Sequence, residues 1–268
     1  MVGEPLRLLI VGAHPDDAEY YAGGLAALYR RAGHTVKMVS FTNGDAGHFR
    51  MRGPELAARR RAEAESAAAV IGGTYEILDL PDGKLQPTLE NRWRMIRLLR
   101  EFQPDLVLTH RPCDYHPDHR AVSQLVQDAA YLVTVPAVVP EVPHLASDPV
   151  IAYLPDDFRK PYPFEPTVFV AVDEVVHQIV DMLHCHASQF YEWLPYNRGI
   201  ADQVPTTDEE RKAWLARQVL DRLERRADRY RDRIGPKVRY LEMFEACEYG
   251  SPLDEAAKNR LFPPFSGR

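Results

Sequence analysis

The feature that most restricts the fold of this chain is an alternation in its first half. Short apolar runs are each followed by an amphipathic stretch of helical period. Residues 6–11, 35–41, 75–80 and 105–109 read as buried strands, and 17–32, 54–71, 89–102 and 118–133 as helices. Gly33 closes the first helix and Gly72-Gly73 the second, where a left-handed terminal residue costs glycine little. Strand–helix repeats of this kind build a parallel sheet with helices on its faces. The expected fold class is α/β, a Rossmann-like, mostly parallel, twisted sheet flanked by helices.

The second half breaks the pattern. Prolines crowd residues 134–166, which read as loops around one strand at 150–153. A strand at 168–172 leads into a helix from 173 to about 193. A long charged C-terminal helix over 208–234 stops at Gly235-Pro236, and 239–249 alternates as a late edge strand. No repeat and no linker divides the chain, so 1–268 is expected to form a single domain. With 268 residues, 45% of them hydrophobic, it can bury a core unaided by disulfides or a structural metal. A metal here would serve chemistry.

Charge narrows the partners. The net charge of −6 argues against nucleic acid, which favours a basic face. The arginine-rich stretches, Arg59-Arg60-Arg61 and residues 222–233, are interleaved with acids and read as solvated helix faces. Cys113, Cys185 and Cys247 are too few and too scattered for a disulfide framework. No run approaches the roughly eighteen apolar residues of a membrane span. The first residues enter a strand rather than a leader-like segment, so a cytoplasmic protein without a membrane span is expected.

Two short motifs carry the chemistry. His14-Pro15-Asp16-Asp17 follows the first strand and opens a helix, at the sheet edge where α/β folds place their sites. His14 and Asp17 are three apart and can meet over one helical turn. An imidazole and a carboxylate suit zinc, and Asp16 between them could take a proton from a bound water. Taken alone, the motif could equally be a turn with a capping aspartate. However, His116-Pro117-Asp118-His119 occupies the same slot after the fourth strand. Capping explains one such turn more readily than two. Together they offer His14, Asp17 and His119 as metal ligands and Asp16 as general base. His116 is left to polarise a carbonyl or protonate a leaving group. Asp118 would join the catalytic set by orienting an imidazole.

These residues also carry a resemblance. Residues 12–19 (GAHPDDAE), with His116-Pro117-Asp118-His119, resemble the LmbE/PIG-L family of zinc-dependent N-acetylglucosaminyl deacetylases. Residues 42–45 (TNGD), 60–63 (RRAE), 186–189 (HASQ) and 240–244 (YLEMF) agree with it, so the resemblance spans most of residues 6–248. It implies an LmbE-like fold, one Zn2+ per chain and the same ligands, base and electrophilic partner. It further implies removal of an acetyl group from a small N-acetylated sugar or glycoconjugate, and it is compatible with a homo-oligomer. It adds Arg60 as a contact to sugar hydroxyls or phosphate. Where some members have an assisting tyrosine this chain has Asp114, with Tyr115 one place away and Tyr191 as a stand-in.

Other residues have plainer readings. Asn43 and Asp45 are expected to touch substrate, although Asn43-Gly44-Asp45 is also a good turn sequence. His186 reads as structural, Cys113 as a bystander thiol, and His34, His144 and His177 as surface or core residues. Two rival functions remain: an amidase for a larger N-acyl or thiol conjugate, and a Rossmann-like nucleotide-binding module. The second has no GxGxxG, and two aspartates stand where a pyrophosphate would sit.

Overall fold

The computed structural model describes residues 4–262. Each expected strand–helix unit of the first half is present: β1 (Arg7–Gly12), α1 (Asp17–Arg31), β2 (Thr35–Ser40), α2 (Gly53–Ile71), β3 (Thr74–Ile77), α3 (Leu89–Phe102), β4 (Leu106–Thr109) and α4 (Pro117–Ala130). Then come β5 (Val150–Tyr153), β6 (Val168–Ala171), α5 (Val176–Cys185), α6 (Leu194–Asn197), α7 (Asp208–Arg229), α8 (Arg231–Ile234), β7 (Leu241–Gly250) and α9 (Glu255–Leu261).

The strands form one sheet in the order β3-β2-β1-β4-β5-β7-β6. β1 to β5 are mutually parallel, and β7 runs antiparallel to both of its neighbours. β1 is buried on both faces. Leu8 and Ile10 pack with α1 and α5, and Leu9 and Val11 with α3 and α4.

The late strand corrects an expectation. Read as an edge, β7 lies inside the sheet between β5 and β6. Leu241, Met243 and Phe244 are buried there, whereas the four-residue β6 takes the edge. A period-two pattern does not reveal how many neighbours a strand has. The helix expected from 173 to about 193 is also interrupted. α5 ends at Cys185, and a single wide π-turn over Ser188–Trp193 follows.

The proline-rich segment is fixed by one buried side chain. Arg100, 2% exposed, donates to the carbonyls of Leu132, Val133, Val135, Val138, Val139 and Val142 at 2.6–3.0 Å. Backbone that lacks regular partners is thereby satisfied.

The topology also places the site. From β1 the chain proceeds to β2 and β3 on one side, then returns to lay β4 on the other. Such a reversal opens a crevice at the carboxyl ends of the strands. Val11 and Thr109 are register partners, so both His-Pro-Asp motifs leave the sheet at one level, side by side.

Candidate metal centre

The three expected ligands converge. His14 Nδ1 lies 3.3 Å from His119 Nε2 and 3.6 Å from Asp17 Oδ2, and His119 Nε2 lies 3.5 Å from Asp17 Oδ1. Donors held at roughly 2.0–2.2 Å by a tetrahedral ion stand about 3.3–3.6 Å apart. The His14 contact is to one Asp17 oxygen and the His119 contact to the other, so the two imidazoles and this carboxylate have the spacing a metal needs, although the set His14/Asp17/His119 is not itself one of the groups of three that follow. Among the described residues, three groups of three place ligand atoms within 4.8 Å of one another. They are His14/His116/His119, Asp17/His110/His119 and His14/Asp82/Asp118, and His14 and His119 each recur.

The chain folds to aim these atoms. Asp17 Oδ2 accepts the N–H groups of Ala13 and His14 at 2.9 and 2.8 Å, which leaves Oδ1 towards His119. Gly12 permits that fold-back, because a Cβ there would stand 2.6 Å from the Asp17 Cβ. The Nε2 of His14 faces Asp82 at 3.1 Å and Asp118 at 3.4 Å. The Nδ1 of His119 faces Asp114 at 3.0 Å. Each imidazole thus turns one nitrogen to a carboxylate and the other to the centre, a usual arrangement around protein-bound metal. Asp118 faces the His14 imidazole and is itself held by the N–H groups of Gly83 and Leu85 at 2.7 and 3.2 Å.

Three supporting residues escaped the sequence reading. His110 stacks on His119 with centroids 3.8 Å apart and contacts Asp17 Oδ2 at 3.1 Å. Its signal was its place directly after β4. Asp114 was noted only as the residue standing where some family members have a tyrosine. Asp82 sits in a Pro-Asp-Gly sequence that reads as a plain turn.

Charges interlock here. Burial would raise the Asp17 carboxyl, but the imidazoles of His119 and His110 hold it well below the usual range. Burial works against a charge on His14, yet Asp118, Asp17 and Asp82 raise its pKa well above that of an ordinary histidine. Asp82 is lowered to about 2, its desolvation outweighed by His14.

Asp16 differs from all of these. Desolvation lifts its carboxyl to about 6 against the pull of Arg60. Its backbone stands at φ 139, ψ −20, a left-handed region that non-glycine residues rarely adopt. Its N–H points to the Tyr75 hydroxyl at 3.3 Å, and its Oδ1 lies 3.2 Å from Arg60 Nη2.

His14, Asp16, Asp17 and His116 open onto a cleft of about 680 Å³. His116 is half-buried, and its Nδ1 accepts the Asp118 N–H at 3.2 Å. Burial, with His14 and His119 nearby, lowers its pKa. Tyr115 stands at the rim, 65% exposed.

Several expected contacts take other positions. Arg60 reaches the cleft wall, but it is 2% exposed and its Nη2 is engaged by the Pro15 carbonyl at 2.7 Å and by Asp16. It holds the Asp16 carboxylate, and it corrects the reading of Arg59–Arg61 as a wholly solvated face. Asn43 and Asp45 do not line the cleft. Asn43 ties to Asp79 and to the Asp45 N–H, and Asp45 accepts the Asp82 N–H at 2.9 Å. Both are turn residues, and Asp45 indirectly supports His14. Tyr191 lies off the cleft wall with its hydroxyl 2.6 Å from His184 Nδ1. His186 is structural as expected, 3.0 Å from Glu19 with neither residue exposed.

The chain is similar to known proteins. Residues 9–130, which contain both motifs, match the family model described as PIG-L: GlcNAc-PI de-N-acetylase. The 4-oxalmesaconate hydratase of Pseudomonas putida is 27% identical, covering 71% of this chain and 76% of its own length. A 1D-myo-inositol 2-acetamido-2-deoxy-alpha-D-glucopyranoside deacetylase of Saccharopolyspora erythraea is 29% identical over 73% of this chain and 82% of its own. Among solved structures, the N,N'-diacetylchitobiose deacetylase of Pyrococcus horikoshii superimposes with a TM-score of 0.71 at 23% identity, covering 91% of this chain and 84% of that one. That similarity bears on the fold. Among the described residues, no helix is long and apolar enough to cross a membrane. Both His-Pro-Asp motifs fall within residues 9–130, the part of the chain that matches the PIG-L model.

Proposed function

We propose that this chain is a zinc-dependent N-deacetylase that hydrolyses the acetamide of a small N-acetylated amino sugar, with one zinc held by His14, Asp17 and His119. The observation that carries this reading is the meeting of His14 Nδ1, His119 Nε2 and the two oxygens of the Asp17 carboxylate at 3.3–3.6 Å, beside a cleft that also receives Asp16 and His116. Bound there, the ion would act as a Lewis acid towards water and the amide carbonyl. Every other part comes from the chain.

Asp16 takes the proton of the attacking water. Its raised pKa suits that task, because a base works best when its pKa approaches the working pH. Arg60 fixes which carboxylate oxygen stays free, since it engages Oδ1. His116 faces the oxygen that gains charge. Its Nδ1 accepts a backbone N–H, so its proton resides on Nε2, which can donate to the oxyanion of the tetrahedral intermediate. Asp16, now protonated, returns the proton to the departing amine, giving acetate and the free amino sugar.

The hydratase relative favours a second reading, addition of water across an activated double bond. The same base and water would serve it. One assay series separates the two. Metal content is determined by mass spectrometry, and acetate release from N-acetylglucosamine derivatives is followed beside hydration of unsaturated dicarboxylates. Acetate release that disappears with chelation and returns with zinc is expected. Hydration without acetate release from any substrate would overturn the deacetylase reading. A panel of longer N-acyl groups tests the size limit of the cleft.

A further inference from the structure

Tyr20, one turn into α1 from Asp17, belongs to three walls at once. It lines the catalytic cleft and two flanking cavities of about 260 and 420 Å³. Arg222 of α7 lies over its ring, with the guanidinium carbon 3.7 Å from the centroid. Arg222 lines both flanking cavities. All three of its side-chain nitrogens, and Nη1 of Arg226 one turn further on, are buried with no carboxylate or carbonyl partner among the described residues; the neutral Tyr20 hydroxyl is the polar group set against Arg222. Arg198, just after α6, lines the catalytic cleft and the smaller cavity. The Tyr20 hydroxyl responds to this charge, its pKa lowered first by Arg222 and further by Arg226 and Arg198 against the effect of burial.

Nearby carboxylates do not answer these arginines. Glu242 directs both oxygens at the N–H groups of Gly24 and Leu25, at 2.7 and 2.8 Å. Asp156 is paired with Arg111, Asp114 with His119 and Asp221 with Arg225. Arg100 shows what a fully engaged buried arginine looks like in this protein, with six carbonyl acceptors. Burying guanidinium groups without partners is costly. It is accounted for where a ligand brings the counter-charge, and arginine matches carboxylate and phosphate oxygens in pairs.

We propose that Arg222 and Arg226, with Arg198 at the rim, form an anion seat beside the catalytic cleft, which receives a carboxylate or phosphate on the part of the substrate away from the scissile amide. This deepens the deacetylase reading and rests on it. The favoured substrate is then an acidic amino-sugar conjugate, and neutral N-acetylated sugars are poor substrates through KM.

The test compares acetate release from three matched compounds: a neutral N-acetylglucosamine glycoside, its phosphate ester, and a glycoside of a hydroxy acid. At least one anionic compound is expected to exceed the neutral one about tenfold or more in kcat/KM, the size of one or two charge-assisted hydrogen bonds. Which anion gains distinguishes phosphate from carboxylate. Arg222→Gln and Arg226→Gln should each erase most of that ratio. Equal kcat/KM for all three compounds in the native protein overturns the seat and leaves the deacetylase reading standing. If no compound releases acetate, the deacetylase reading fails, and calorimetric titration of the metal-free protein with inorganic phosphate decides the seat alone. Binding that weakens about tenfold in Arg222→Gln supports it, and absence of binding to the native protein overturns it.

Discussion

The two His-Pro-Asp turns share three residues in a row and fold differently. In the second, His116 is an ordinary helix cap at φ −90, ψ 132, and α4 starts at Pro117. In the first, the helix starts two residues later at Asp17, and Asp16 is held at φ 139. The third residue of each motif consequently faces a different way. Asp118 turns inward, accepts two backbone N–H groups and faces His14, and its pKa is lowered, desolvation being outweighed by His14 and the Gly83 N–H. Asp16 turns to the cleft, and desolvation raises it to about 6. What separates them is the fourth position. The Asp17 carboxylate can fold back on the N–H groups of Ala13 and His14, beneath a glycine that leaves room for it. His119 at the same position of the second motif instead points its ring at Asp17 and Asp114. One tripeptide thereby yields a strained, desolvated carboxyl in one turn and a relaxed, hydrogen-bonded one in the other.

Substitutions at the third positions should break the pair apart. Asp16→Asn is expected to lower kcat by about 10²–10⁴-fold, the range of general-base contributions, with full metal content by mass spectrometry. Retained turnover in the metal-replete variant sinks the assignment of the base. Asp118→Asn should do the opposite, weakening metal affinity about 10–100-fold, with turnover recovered at excess zinc. Competition against a chromophoric chelator measures it.

Backbone strain gives a finer contrast. Asp16→Gly should be about 1–2 kcal/mol more stable than Asp16→Ala, because glycine adopts positive φ freely. At Asp118, inside a helix, the order should reverse by about 0.5–1 kcal/mol. Denaturant melts of the four variants report both signs.

A last contrast concerns pH. In the metal-free protein Asp16 has its pKa raised from 3.8 to about 6, so between those values the folded state binds more protons than the unfolded chain. Stability contributed by this group is therefore lost as pH rises through that window, on the order of 3 kcal/mol. Asp16→Asn should flatten the slope over pH 4–6, and an unchanged slope would place the titration elsewhere. In the active enzyme the carboxylate form works, so turnover should fall as Asp16 protonates at low pH.

Much of this arrangement was legible beforehand because it depends on local pattern. The alternation of β1 to α4 needs only hydrophobic period and glycine stops. The paired motifs needed only the inference that neighbouring strands would end together. Legibility failed where a role depends on what arrives from elsewhere. Asp82 and Asp45 look like turn residues until β1 and α4 bring His14 and Asp118 beside them. His110 lacks a motif of its own. Arg60 and Arg222 belong to charged helical runs that read as solvated, and only packing shows one beneath Asp16 and the other over Tyr20.

The sequence by itself determined the α/β class, the positions of the two turns and the side chains that can hold a metal, because each follows from spacing along a strand or a helical turn. The tertiary structure alone showed how the two aspartates differ, Asp16 desolvated beside Arg60 and Asp118 tied to backbone N–H groups. It also decided which buried arginines meet carbonyl or carboxylate acceptors, as Arg100 does, and which, like Arg222, do not. Those outcomes rest on desolvation and on charges brought together from distant parts of the chain, and neither is fixed until the sheet and its helices have packed.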